Sequence, residues 1–509
     1  MIWLLVLGFS CGLGLILMPL VKSLARRSGL VDRPDGHRKM HARPIPLAGG
    51  LTILISVPAA LGLGLLVSED LAVSVHQERF FLFGLLLAAV TICAIGVADD
   101  YGCLRGRHKL LGQIVAAFLL IQFDFVIRSI RFFDWHIELG ILAVPFTILW
   151  LLAAINSLNL IDGMDGLLGT VSLILCAAFA VMAALEERWA AVGAAVAMVG
   201  ALFGFLRYNL PPASVFLGDS GSMLIGLIVG VLAIPGGWST SASVPLAIPI
   251  AFLTIPFLDT AAAIIRRKLT GRSIYTTDRS HLHHCLLRRG YGPRGVLLWV
   301  GFFCLVIAAG ALASIVLEAE WIALVCSATV IATLIATGMF GYAEYGLLRD
   351  RARDIVLSLL RVPAQGRGRQ RVVRLQGSVD WAELWVNFMA GSEHLNLVMI
   401  RLNVNAPALH EGYHARWDHA HEDGEEKTVW RAEIPLMVDD HVLGRLDVVG
   451  LQDHESVRDK MEALLKLVEY FEAEASDLVR IQAQRPAADP VGPRPAAKSE
   501  RVESVTSQV

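Results

Sequence analysis

Charge is scarce in this sequence, and what there is nearly cancels. Only 18% of residues are charged and the formal net charge is −2, so no nucleic-acid partner is expected. A disulfide framework is missing as well. Five of the seven cysteines (Cys11, Cys93, Cys176, Cys304, Cys326) fall inside apolar runs, and no Cys-x-x-Cys spacing exists. No cation precedes the first apolar run, whereas Lys22, Arg26 and Arg27 follow it. That order reads as a retained first span with its N-terminus outside, not as a cleaved signal.

Apolar residues fill the space left by charge. They make up 55% of the chain and the mean hydropathy is +0.58, too apolar for a soluble domain. The runs lie at roughly 1–21, 48–67, 80–98, 110–127, 141–155, 167–185, 189–206, 221–234, 244–265, 296–315 and 321–340. About eleven helices follow, several near the ~20 residues that cross a bilayer. The expected fold is therefore an all-α polytopic membrane protein followed by a small cytoplasmic α+β domain. Cations crowd loops 22–46, 99–109 and 266–295 and are sparse in the intervening loops. The positive-inside rule puts these loops and the C-terminus in the cytoplasm of a multi-pass protein of the bacterial inner membrane.

Four segments are expected in order. Residues 1–341 form the transmembrane domain, and 342–370 a basic exit helix and linker. In 371–482, strand-like alternation at 395–404 and 427–436 and helical spacing at 456–481 give the α+β domain. Its long amphipathic closing helix suggests a homodimer or a regulatory partner. Residues 483–509 are Pro/Ala-rich and read as disordered.

The polar residues of the membrane region gather at alternate span ends, all on the cytoplasmic face. Asp99 and Asp100 are adjacent acids at one such end, where repulsion calls for a cation; a solvated helix end is the plainer reading. Asn156, Asn159, Asp162 and Asp165 recur every third residue, which keeps them near one helix face. Gly163 and Gly166 permit a break there. Two amides and two acids supply oxygen ligands for a hard cation or hydrogen bonds for a nucleotide. A helix cap would explain one acid, not all four groups. Asp219 sits among glycines and serines in Phe216-Leu-Gly-Asp-Ser-Gly, where a helix N-cap is the simple alternative. His281, His283 and His284 lie among arginines that would repel zinc, so they suit a diphosphate or a sugar better. Asp259, inside a span, needs a polar partner.

Together these stretches resemble the polyprenyl-phosphate N-acetylhexosamine-1-phosphate transferases. The matching residues are Arg33-Pro-Asp, Arg38-Lys39, His41, Gly49-Gly50, Gly96-Val-Ala-Asp-Asp, Asn156–Leu167, Phe216–Gly221, and Asp259 through the His281-Leu-His-His run. The resemblance covers roughly residues 1–341. It implies transfer of N-acetylhexosamine-1-phosphate, N-acetylglucosamine-1-phosphate by the histidine pattern, from a UDP-sugar to a polyprenyl phosphate, releasing UMP. It implies Mg2+, with Mn2+ as an alternative, on Asp219 and Asp100. It assigns catalysis to Asp99, Asp100, Asp162 and Asp165, and substrate binding to Lys39, Asn156, Asn159, Arg272, His281, His283 and His284. The chain departs from the pattern at Cys103, where many relatives carry an acid, and in its long C-terminal region. There, Ile434-Pro-Leu and Val442–Val449 resemble GAF-type sensory strands. A polytopic transporter or a membrane sensor is the rival reading. A transporter would place its polar groups near the bilayer midplane.

Overall fold

The computed structural model describes residues 1–33, 43–234, 244–269, 280–342, 344–346, 348–349, 352, 369–376, 381–392, 395, 397–406, 411–418, 429–438, 441–451 and 456–483. Two compact units form: Met1–Cys285 with Pro293–Val362, and Leu286–Gly292 with Pro363–Val509.

In the first unit every apolar run becomes helix. In chain order these are α1 (Ile2–Ser28), α2 (Gly49–Val67), α3 (Glu69–Gln77), α4 (Arg79–Asp100), α5 (Gly106–Gln122), α6 (Ala143–Ile161), α7 (Leu167–Leu185), α8 (Trp189–Asn209) and α9 (Gly218–Leu232). They continue with α10 (Ala247–Phe252), α11 (Thr254–Leu269), α12 (Leu282–Arg288), α13 (Pro293–Val316) and α14 (Glu320–Ala336). Among the described residues, seven helical stretches are long and apolar enough to cross a membrane; α9 and α14 are apolar but shorter. The expected span 244–265 is broken: α10 ends at Phe252 and α11 starts at Thr254. Pro249 and Pro256 cannot donate backbone amides, and hydropathy does not register that loss. The expected span 110–127 stops at Gln122. The loop after α2 holds the unforeseen α3, opened by Ser68, whose Oγ accepts the Leu71 amide.

α9 is the helix around which the others close. Every residue from Ser220 to Leu232 is buried, because α2, α4, α6 and α7 pack against it. At 15 residues it is about 22 Å long, short of the ~30 Å hydrocarbon core. Its N-terminus is gripped where two glycines let backbones meet. A Cβ on Gly96 of α4 would lie 2.3 Å from Ser220 Cα, and one on Gly50 of α2 would lie 2.5 Å from the Gly221 nitrogen. At the opposite end of α4 and α5, Ser129–Phe132 pairs with Trp135–Glu138 in a hairpin, and Val244–Pro245 adds a parallel strand.

The second unit has a five-stranded antiparallel sheet. Its spatial order is Arg369–Gln376, Glu411–Asp418, Leu397–Ala406, His441–Leu451, Val429–Val438. Helices Trp381–Ser392 and Val457–Ala483 share its core through Trp381, Trp385, Phe388, Leu464 and Phe471, packed with Ile400, Leu402 and Leu446. Strand Glu411–Asp418 fills the space between Arg369–Gln376 and Leu397–Ala406. Tyr413 and Ala415 face the core, but the buried His414 pairs instead with Asn403 of the next strand. Alternation puts His414 and Asn403 on the face opposite Tyr413 and Ala415, and there they satisfy each other across the strands. The exit segment 342–363 is described only in part, and the tail from 484 lies outside the described residues.

Candidate active site

The site forms where α4, α6 and α9 converge and α5 begins. The chain at 46–49 fixes the approach to α9: Phe216 donates its amide to the Pro46 carbonyl, and Ala48 and Gly49 donate to the Phe216 carbonyl. Leu217 occupies the N-cap position of α9 and makes no side-chain cap. Asp100 of α4 supplies that cap from another helix. Its Oδ1 accepts the Asp219 amide at 2.7 Å and its Oδ2 the Ser220 amide at 3.2 Å. A carboxylate at a helix N-terminus satisfies orphan donors and complements the macrodipole. Both Asp100 oxygens thus serve the backbone that presents Asp219.

Asp219 is the hub. Its Oδ1 accepts from Lys109 Nζ at 2.7 Å and from Asn159 Nδ2 at 2.6 Å. The same Lys109 ammonium lies 2.9 Å from Asp99 Oδ2. Lys109 therefore bridges two carboxylates from helices α4 and α9. In the sequence Lys109 is one cation of the basic loop 99–109, where the positive-inside rule accounts for it without a role in the site. Its position one turn before Gln113, both polar at the mouth of an apolar helix, was the available clue.

The Asn/Asp row divides between chemistry and architecture. Asn159 reaches Asp219 and, at 2.7 Å, Ser222 Oγ. One turn deeper, Asn156 exchanges amide hydrogen bonds with Gln113 at 2.8 and 3.3 Å, tying α6 to α5. Asp162 closes α6 as its C-cap. Burial first, then the carboxylates of Asp219, Asp100 and Asp165, push Asp162 up to about 8. Asp165 Oδ2 accepts the Ala213 amide at 2.8 Å, and Asn209 Oδ1 accepts the Gly166 amide at 2.9 Å. These bonds fasten the Asp loop to the 209–217 turn.

The histidines join this loop. A Cβ on Gly163 would lie 2.7 Å from His283 Nε2, so the imidazole rests against the Asp162–Gly163 backbone. The rings of His281 and His283 are nearly parallel, 6.1 Å apart at 6°, and those of His283 and His284 are 4.2 Å apart. Buried Asp259 of α11 meets His281 Nδ1 at 2.9 Å and accepts the Leu282 amide at 2.8 Å. That contact fixes the His281 ring and leaves Nε2 as the nitrogen that can meet a ligand. Lys39 and Arg272 lie outside the described residues.

The arrangement is an acidic cluster at helix ends, with one lysine among Asp99, Asp100, Asp162 and Asp219. Among the described residues no three His, Cys, Asp or Glu side chains form a closed metal-ligand set. The oxygen donors, and the burial and carboxylate crowding that make Asp162 hold its proton in the absence of a cation, nevertheless fit a hard cation that shares its shell with substrate phosphate and water. The polar groups occupy helix termini, not mid-span positions, which disfavours a transport path.

Comparison with known proteins agrees with this geometry. Residues 82–237 match the family model described as "Glycosyl transferase family 4". A Bacillus subtilis (strain 168) relative, "Probable undecaprenyl-phosphate N-acetylglucosaminyl 1-phosphate transferase", is 34% identical over 295 residues, 57% of this chain and 79% of the relative. The "Decaprenyl-phosphate N-acetylglucosaminephosphotransferase" of Mycolicibacterium smegmatis is 31% identical over 350 residues, 62% and 83% of the two chains. The "Undecaprenyl-phosphate alpha-N-acetylglucosaminyl 1-phosphate transferase" of Escherichia coli (strain K12) is 28% identical over 307 residues, 59% and 79% of the two chains.

Proposed function

The chain belongs to glycosyl transferase family 4, and from that premise we propose that it transfers N-acetylglucosamine-1-phosphate from a UDP-sugar to a polyprenyl phosphate, releasing UMP. The observation that carries this reading is the Asp99–Lys109–Asp219 bridge at the half-buried N-terminal end of α9, beside the Asp162 loop and the histidines. The reaction sits at the cytoplasmic face of the inner membrane, the side on which the basic loops lie.

Both substrates are anions, so the protein must lower their repulsion and align the attacking oxygen. The lipid phosphate has a second pKa near ~6 and is mostly dianionic at neutral pH. Its oxygen bonds to the sugar-bearing phosphorus as that phosphorus parts from the bridging oxygen of UMP. Lys109 keeps Asp99 and Asp219 from repelling each other and holds positive charge where phosphates must approach. Asp99 receives the proton of any monoanionic lipid phosphate. Asp219, Asp162 and the Asn159 amide oxygen would hold Mg2+, or Mn2+ in its place, which when bound neutralises the donor diphosphate and the departing UMP. Asp100 keeps Asp219 in place by capping α9. His281, oriented by Asp259, meets the diphosphate or sugar together with His283 and His284.

The decisive experiment incubates purified protein with polyprenyl phosphate and a panel of UDP-sugars and follows UMP. Mg2+-dependent UMP release with UDP-N-acetylglucosamine is expected. Release with UDP-muramyl-pentapeptide alone would overturn the donor assignment, and no release with any sugar nucleotide would overturn the reaction.

A further inference from the structure

α11 is tied down at three points. At its start, Thr254 Oγ1 donates to Ser327 Oγ of α14 at 3.1 Å. In its middle, Asp259 holds His281 and the Leu282 amide. Near its end, Arg266 pairs with Glu344, beyond the last span. Arg266 is 3% exposed and Glu344 6%, so neither charge is a solvated surface group. Burying two charges is costly unless they meet. Chain leaving α14 therefore returns into the membrane unit and docks on α11. Seven residues separate Asp259 from Arg266, almost two full turns, which places both on one stripe of α11 about 10 Å apart.

We propose that Glu344 is a positioning residue for the histidine side of the active site, acting through Arg266 and α11. Glu344 clamps the end of α11, and α11 carries the Asp259 carboxylate that orients His281 and caps the helix beginning at Leu282. The part of the proposal that concerns turnover rests on the transferase reading above. The coupling itself does not.

The test uses the full-length protein in detergent and two readouts. One is hydrogen exchange of the Leu282 amide, referenced to the Asp219 and Ser220 amides, which Asp100 holds independently. The other is UMP release as kcat and KM. Glu344→Gln should raise exchange at Leu282 at least tenfold, leave the reference amides unchanged, and lower kcat/KM for the UDP-sugar at least tenfold. Glu344→Asp should recover part of both. Should Glu344→Gln not fold, the pair Arg266→Met with Glu344→Leu removes both charges without stranding either, and the same loosening at Leu282 is expected. Unchanged exchange at Leu282 in a folded variant overturns the proposal. Loosening at Leu282 with unaltered kcat and KM supports the coupling and overturns the assignment of His281 to substrate.

Discussion

Lys109 Nζ stands 2.7 Å from Asp219 Oδ1, across the interface of α5 and α9, and its other carboxylate partner, Asp99, is 2.9 Å away. Removing the ammonium leaves two carboxylates facing each other without compensation. Lys109→Met should cut UMP release at least about 100-fold, the scale of losing one preorganised electrostatic contact. Lys109→Arg should retain more activity than Met, because it keeps the charge. Steady-state kinetics on variants that remain monodisperse checks this. Near-normal turnover of Lys109→Met would remove the bridge from the mechanism.

Asp219→Asn keeps the shape of the hub and removes its charge. The expected result is a folded protein with turnover lowered about 100-fold or more and with its Mg2+ requirement shifted to higher concentration. Titrating Mg2+ while measuring UMP release separates the two effects. Full activity of Asp219→Asn at limiting Mg2+ would sink its assignment to the cation.

Gly96→Ala tests the grip on α9. The added methyl would lie 2.3 Å from Ser220 Cα, a backbone atom, so relief requires α4 and α9 to separate. Overpacking of this kind costs about 1–3 kcal/mol. Lower thermal stability together with lost activity is expected. Gly62→Ala, with nothing within 4 Å, is the control and should be nearly silent.

The described residues of the first compact unit end at Ala352, and the second unit has its own core around Trp381, Trp385 and Phe471. A chain ending near Pro363 should therefore keep Mg2+-dependent transfer in detergent, with an altered rate or oligomeric state. Complete loss of UMP release in a monodisperse, inserted truncation would mean that residues beyond 363 help build the site.

Membrane class, helical runs and family are legible along the chain, because hydropathy and motif spacing are properties of neighbouring residues. The sequence also groups Asp99, Asn159, Asp162, Asp219 and the histidines at one end of the bundle, since alternating spans return successive loops to the same face. What each polar residue touches was decided only by tertiary structure. Lys109 and Asp219 are separated by 110 positions, and Asp100 caps an amide 119 positions away. Asn156, in register with Asn159 along the sequence, turns to Gln113. Arg266 reads as one more cation in a basic loop until Glu344 folds back onto it. A buried charge or an uncapped helix end must find a partner, and local sequence states that need. Which partner arrives depends on where close-packed helices, admitted by residues as small as Gly50 and Gly96, bring distant segments together.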